Sequence, residues 1–297
     1  MTLWRGRVRI TADLYKKESA DQFISQNLSR TSGFRALSTN GGKMENKGFD
    51  FAINTDIVKT NAVLVTFGVN GGFLKNEITD LGGLPDIPAG TGIARVGKSF
   101  GTHFTVGYVG INPQTGLPIY QDINGNPTTE YSANNNRAEF GTFLPKFTGG
   151  SSLDVSWNGF DLGILVSTAQ GVKRFNNEAF FYETTNSNVA FNKRIDMLNS
   201  WRNPGEQTNY QKINSLRQFS SKDVQDASFV RLRNVQTGYT FKTKEGSKIR
   251  GFKVWGQAQN LYTWTKWNGF DPEESNNIAS YEFPNPKTYT IGLDINF

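Results

Sequence analysis

Large apolar residues recur at every second position along much of the chain. At its end Tyr289, Ile291, Leu293, Ile295 and Phe297 share one face of an extended segment, with Thr290, Gly292, Asp294 and Asn296 on the other. Phe49, Phe51 and Ile53 oppose Asp50, Ala52 and Asn54, and Val63, Val65, Phe67 and Val69 share a face ahead of Asn70. Phe100, Phe104, Val106 and Tyr108 oppose Gly101, His103 and Gly107. The alternation continues in Leu153, Val155 and Trp157 against Asp154, Ser156 and Asn158, and in Val235, Tyr239 and Phe241 against Asn234, Gln236 and Gly238. The pattern predicts an all-β, antiparallel chain of about ten strands. They lie near residues 3 to 16, 43 to 57, 61 to 76, 94 to 110, 115 to 121 or 136 to 142, 147 to 158, 160 to 173, 227 to 241, 249 to 264 and 286 to 297.

Two architectures use such strands. A soluble sandwich turns its apolar face to a second sheet, whereas an outer-membrane barrel turns it to lipid and lines its lumen with Gly, Asn, Ser and Asp. Three features favour a transmembrane β-barrel segment. The strands run to about a dozen residues, against about five or six in soluble proteins. Short connections such as Asn158-Gly159 and Lys242 to Lys248 alternate with long ones, namely Lys17 to Gly42, Ile78 to Thr91, Phe175 to Gln225 and Lys266 to Asn285. These are the expected short periplasmic turns and long extracellular loops. The last amphipathic strand ends on Phe297.

Composition narrows the chemistry. The 297 residues include no Cys and a single His, His103, which argues against disulfides, thiolate catalysis, zinc clusters and Ser-His-Asp catalysis. No enzyme activity, catalytic residue, cofactor or metal site is expected. Apolar runs such as Ala62 to Val65 fall far short of the roughly 18 residues of a membrane helix. The N-terminus lacks the apolar core of a signal peptide. A mean hydropathy of -0.49 is compatible with a barrel, because alternate residues alone face lipid. The net charge of +6 comes from dispersed Lys and Arg with no basic stripe, so nucleic acid is not expected as a partner, while acidic outer-membrane lipid is.

Eight stretches, in this order, resemble the end of a SusC/RagA-type TonB-dependent outer-membrane receptor: Glu45 to Phe51 (ENKGFDF), Gly110 to Asp122 (GINPQTGLPIYQD), Pro145 to Gly150 (PKFTGG), Trp157 to Leu162 (WNGFDL), Asp226 to Phe241 (DASFVRLRNVQTGYTF), Gly256 to Thr265 (GQAQNLYTWT), Gly269 to Glu273 (GFDPE) and Pro284 to Leu293 (PNPKTYTIGL). The resemblance spans residues 1–297 and implies the C-terminal part of a barrel of about 22 strands. The plug domain and N-terminal strands have no counterpart, so the chain is read as a partial barrel and a fragment. The resemblance further implies a multi-pass protein of the Gram-negative outer membrane, importing oligosaccharide or peptide with energy from TonB. It implies contact with the TonB complex through the missing N-terminal part, a SusD-like surface lipoprotein over the loops, and the barrel-assembly machinery as reader of the terminal strand Tyr289, Ile291, Leu293, Ile295 and Phe297. A soluble or secreted β-rich glycan-binding module and a small self-closing pore are the alternatives.

Other motifs are weaker. Gly92 to Ser99 matches a phosphate-binding loop, but a Gly/Pro loop precedes it and an alternating segment follows, where a strand and a helix are required. Asp122 to Pro127 spaces oxygens like a calcium loop but has Pro where Gly is needed, which favours an Asx turn. His103 reads as a lumen-facing or network residue, and Asp271, Glu273 and Glu274 as a solvated loop face. Trp264 fits an aromatic girdle at the membrane interface. Trp267, Phe180, Tyr182 and Tyr281 lie in long loops and are candidate ligand or partner contacts, since exposed rings offer flat faces for stacking.

Overall fold

The structure, a computed structural model, describes residues 1–184, 192–244, 248–274 and 276–297, without the side chains of Gln26 and Asn27. Parts of the Phe175 to Gln225, Lys242 to Lys248 and Lys266 to Asn285 segments therefore lie outside the described residues. A single nine-stranded antiparallel sheet dominates, its strands following one another in chain order. They are β1 (Thr2–Leu3), β2 (Val8–Asn27), β3 (Ala36–Lys59), β4 (Val63–Leu81), β5 (Phe147–Trp157), β6 (Phe160–Gln170), β7 (Phe229–Lys242), β8 (Gly251–Thr265) and β9 (Thr288–Asn296). The sheet is open, with β1 and β9 at its two edges among the described residues.

Register aligns the alternation across strands. One row reads Leu14, Phe49, Phe73 and Phe147 from β2 to β5; another reads Ile10, Ile53, Val69 and Ser151. Towards the turn end Trp157 pairs with Phe160 and Phe160 with Tyr239, and Phe241 pairs with Phe252 and Phe252 with Ile295. The apolar side chains thus form one continuous outer face, closed at each end by aromatic rows, while Asp50, Asn54, Asn70, Ser152, Asp154 and Asp161 lie on the inner face. A one-residue slip anywhere would reverse this arrangement, so the outer face itself fixes the register. Between the aromatic rows β5 has 11 residues. At about 3.4 Å per residue and a tilt near 45°, that spans about 24 Å, close to the height of a barrel's lipid-facing band.

The connections alternate as expected. Residues 4–7, 60–62, 158–159 and 243–250 join strands at one end, and 28–35, 82–146, 171–228 and 266–287 at the other. Two expectations need correction. The segments near 94 to 110 and 115 to 121 or 136 to 142 do not enter the sheet. They belong to the 82–146 loop, which builds small sheets of its own, such as Ile87–Ala89 with Gly92–Ala94 and Thr102–His103. The reason is burial on both faces: Thr102, His103, Thr105 and Val106 are all buried, whereas a strand in the barrel wall offers one face to lipid. Conversely, most of Lys17 to Gly42 is strand, because β2 and β3 stay paired as far as Asn27 and Ala36.

Candidate functional site

The inner face gains its charge through a fault in the alternation. On β7 the outer residues Val235, Thr237 and Tyr239 are spaced by two, but the next outer residue is Leu232, three positions back. Arg233 has no Cα partner in the ladder with β6 or with β8, where Asn260 and Leu261 are likewise skipped. This β-bulge, with Asn260 at φ 51°, moves Arg231 from the lipid side to the inner face. Arg233 donates to Ser167 Oγ from Nε at 3.1 Å and Nη2 at 2.9 Å, and to Asn260 Oδ1 from Nη1 at 3.3 Å.

The 266–287 loop folds back over these arginines. Arg231 donates from Nη2 to Asp271 Oδ1 at 2.5 Å and pairs through Nη1 with Glu273 Oε2 at 2.8 Å; Arg233 Nη2 reaches Glu273 Oε1 at 2.6 Å. Asp271 also accepts the backbone N–H groups of Glu273 and Asn285, both at 2.9 Å. Burial alone would raise its pKa, but those two amides and Arg231 together lower it. The two sequence stretches FVRLRN and GFDPE are therefore two halves of one clamp. Beside it the buried Arg174 pairs with Glu274 Oε2 at 2.7 Å and lies 5.7 Å from the centre of the Trp267 ring. Glu274 Oε1 is buried with no hydrogen-bond partner among the described residues, and burial, outweighing Arg174, pushes the carboxyl up to about 7. Arg233, Glu273 and Glu274 border a cavity of about 650 Å³ with Asp50, Asn70 and Thr148 of the inner wall. Such a site can take a polar or charged ligand by hydrogen bonding and ion pairing.

Asp271 and Glu274 are thus buried against Arg231 and Arg174, which corrects their reading as a solvated loop face: Arg231 and two amides offset the burial of Asp271 fully, and Arg174 offsets that of Glu274 in part. Trp267 is buried with Val172, Ala227 and Ala279 and offers no free ring face. Phe180 and Tyr182 lie on the helix α1 (Asn177–Glu183), whose start is capped by Asn176 accepting Ala179 N–H at 2.9 Å. Phe180 stacks on Phe219 at 3.9 Å between ring centres, and Tyr182 packs edge-on to Tyr281 at 5.7 Å. Phe181 and Phe270 each lie 6.4 Å from Tyr281, and all three rings are exposed. The predicted residues Tyr182 and Tyr281 are thus brought together at an exposed aromatic patch, Phe180 lies beneath it, and Trp267 is elsewhere. Arg231 and Arg233 were not singled out by the alternation; the phase slip between Val235 and Leu232 is the signal that marks them.

The remaining motifs have structural roles. Ser99 donates to Asn76 Oδ1 at 3.1 Å, and an extended segment rather than a helix follows it, so Gly92 to Ser99 builds no phosphate cradle. Asp122 Oδ1 accepts the N–H groups of Asn124 and Asn126 at 2.8 Å, an Asx turn. His103 is buried with Nε2 2.8 Å from Lys173 O, and burial lowers its pKa. Tyr289, Ile291, Leu293 and Ile295 lie on the outer face of β9, followed by Phe297, all exposed, as is Trp264 on β8.

No family model matches the chain. It is similar over its full length to the TonB-dependent receptor P3 of Formosa agariphila, at 24% identity, covering 33% of that protein. The TonB-dependent receptor SusC of Bacteroides thetaiotaomicron is 24% identical over 98% of the chain and 30% of its own length. A solved structure of the RagAB peptide transporter superposes with a TM-score of 0.90 at 30% identity, over 99% of this chain and 34% of the other. The chain thus spans about a third of the length of the relatives it matches.

Proposed function

We propose that this chain, a homologue of the SusC- and RagA-type TonB-dependent receptors, is the C-terminal part of the barrel of a Gram-negative outer-membrane importer. The observation that carries the reading is the two-faced sheet: a registered apolar outer face of membrane height, backed by an inner face of Arg, Asp, Asn and Ser that leads to the cavity beneath the 266–287 loop. The loop end is extracellular and the turn end periplasmic in this reading. The receptor takes up an oligomeric nutrient with energy from TonB and is not an enzyme. A peptide is the favoured substrate and a glycan the second, because paired charges at Arg233, Glu273 and Glu274 suit peptide groups better than neutral sugar rings. A SusD-like lipoprotein caps the loops, with the patch around Phe181, Phe270 and Tyr281 as its contact. The terminal strand Tyr289 to Phe297 is the assembly signal.

Uptake tests this directly. A strain lacking the gene, restored with wild-type receptor or with Arg233→Gln and Glu273→Gln together, is supplied with labelled oligopeptides, oligosaccharides and monomers. Wild type should restore oligopeptide uptake and the variant should not, with monomers unaffected. Restoration of oligosaccharide uptake alone would move the substrate to glycans, and unchanged uptake of every oligomer on deletion would overturn the importer reading.

A further inference from the structure

Just above the loop-side aromatic row, the outer face of the sheet carries charges in an unusual order. In the register of β2, β3 and β4, Lys16 lies directly opposite Lys47, and Lys47 opposite Lys75. The next outward-facing row beyond it is Glu18, Glu45 and Glu77, again directly opposite one another. The row below is Leu14, Phe49 and Phe73. Like charges directly across a ladder are unfavourable, and two such rows in succession are not what a self-sufficient surface needs. The ion pairs run between the two rows instead: Lys16 reaches Glu45 diagonally across to β3, while Lys47 reaches Glu45 and Lys75 reaches Glu77, at 3.0 Å, two residues along their own strands. All three lysines remain more than half exposed. Lys16, Lys47 and Lys75 also border, with Phe49, Phe73 and Leu144, a cavity of about 890 Å³.

The order apolar, cationic, anionic follows the layers of a lipid leaflet at the same depth. Acyl chains end at the aromatic row; phosphate is the first charged layer beyond them, and its counter-cations lie further out. Two strand residues separate successive rows, about 7 Å along each strand and, at a tilt near 45°, about 5 Å in depth, a headgroup dimension. Lys is suited to the phosphate layer because its stem packs on apolar surface while its ammonium meets oxygen as a compact charge. We propose that the Lys16, Lys47 and Lys75 row, with Glu18, Glu45 and Glu77 beyond it, is a docking site for phosphate-bearing lipid of the surrounding leaflet. Phosphate oxygens sit on the lysines and the lipid's counter-cations on the glutamates. The site rests on the membrane reading above.

The test uses the receptor that carries this chain, purified from outer membranes in mild detergent, with retained phosphate-bearing lipid counted by native mass spectrometry. One variant replaces the three lysines by Gln. A second exchanges the rows (Lys16→Glu, Lys47→Glu and Lys75→Glu with Glu18→Lys, Glu45→Lys and Glu77→Lys), which preserves every ion pair between them. A lysine at an anionic lipid surface contributes roughly fivefold in affinity; three, discounted for their Glu neighbours, give a loss of about tenfold in both variants. A purely structural ladder would leave the exchanged variant unchanged. Receptor found in the outer membrane with equal lipid on wild type and both variants overturns the site alone; wild type absent from that membrane overturns the membrane reading and the site with it. Should the variants not assemble, wild type in phosphatidylglycerol vesicles must melt higher than in uncharged galactolipid vesicles, and equal melting overturns the site.

Discussion

Replacing Asp271 by Ala should free the 266–287 loop from the barrel wall while leaving the wall intact. Asp271 is 5% exposed and accepts three hydrogen bonds, from Arg231 Nη2, Glu273 N and Asn285 N. Leaving a buried guanidinium unpaired costs about 3 to 5 kcal/mol. Glu273 still reaches Arg231 at 2.8 Å and recovers part of that, while each orphaned amide adds about 1 kcal/mol. The net expectation is about 3 kcal/mol of lost docking, or roughly a hundredfold faster exchange of the loop's protected amides. Hydrogen exchange with mass spectrometry on the purified receptor reads this, with peptides from β4 as the internal standard. Adding Arg231→Met should return at least about 1 kcal/mol, because removing both charges avoids the buried orphan. Unchanged exchange in the single variant, or a double variant worse than the sum of its singles, would refute the clamp.

Glu274 gives a pH signature to the same loop. Its carboxyl is ordinary in the unfolded chain and raised to about 7 in the fold, so the folded state holds an extra proton between those values. The stabilisation is full below about pH 4.5 and is lost as pH rises to about 7; its full value of about 3 kcal/mol is cut by solvent screening to on the order of 1 to 2 kcal/mol. Loop exchange should therefore quicken from pH 5 to 7 beyond its intrinsic rate, and Glu274→Gln should remove that excess. Gly159 turns between β5 and β6 at φ 88°, and an added Cβ would lie 2.8 Å from Thr240 O; Gly159→Ala should cost about 1 to 2 kcal/mol or more and lower the receptor's thermal unfolding temperature, while Asn158→Gly should not. Phe297 is exposed on the sheet and covered only by lipid, so deleting it removes at most roughly 1.5 to 3 kcal/mol of apolar burial, too little to unfold a barrel. Surface immunoblots should show less receptor delivered, with assembled molecules keeping their resistance to heating in detergent; equal delivery would argue against a signal role for the terminal ring.

The wall was legible because its side-chain period is two and nothing else competes for those residues. Phe49, Phe51 and Ile53, or Leu153, Val155 and Trp157, meet a single demand, an apolar outer face, and the sequence pattern reports it directly. The stretch from Phe100 to Tyr108 shows where that logic stops. Its alternation is equally regular, yet Thr102, His103, Thr105 and Val106 are all buried inside a loop, and periodicity does not distinguish one covered face from two. The arginine clamp was hidden for another reason. FVRLRN and GFDPE stand 40 residues apart between Arg231 and Asp271, and their pairing is a tertiary fact. The three-residue step from Leu232 to Val235, however, is visible in the sequence and is what aims Arg231 inward.

Lipid exposure of alternate residues is the most direct test of the central claim. This chain contains no cysteine, so once any cysteine elsewhere in the receptor is replaced by serine, single cysteines placed in turn at positions 288 to 296 can each carry a spin label. Relaxation by oxygen, which partitions into lipid, is then compared with relaxation by a water-soluble nickel chelate. Labels at 289, 291, 293 and 295 should respond to oxygen and those at 290, 292 and 294 to the chelate, with a period of two. A response to the chelate at every position, or one without alternation, would contradict the claim that this sheet is the wall of a membrane-spanning barrel.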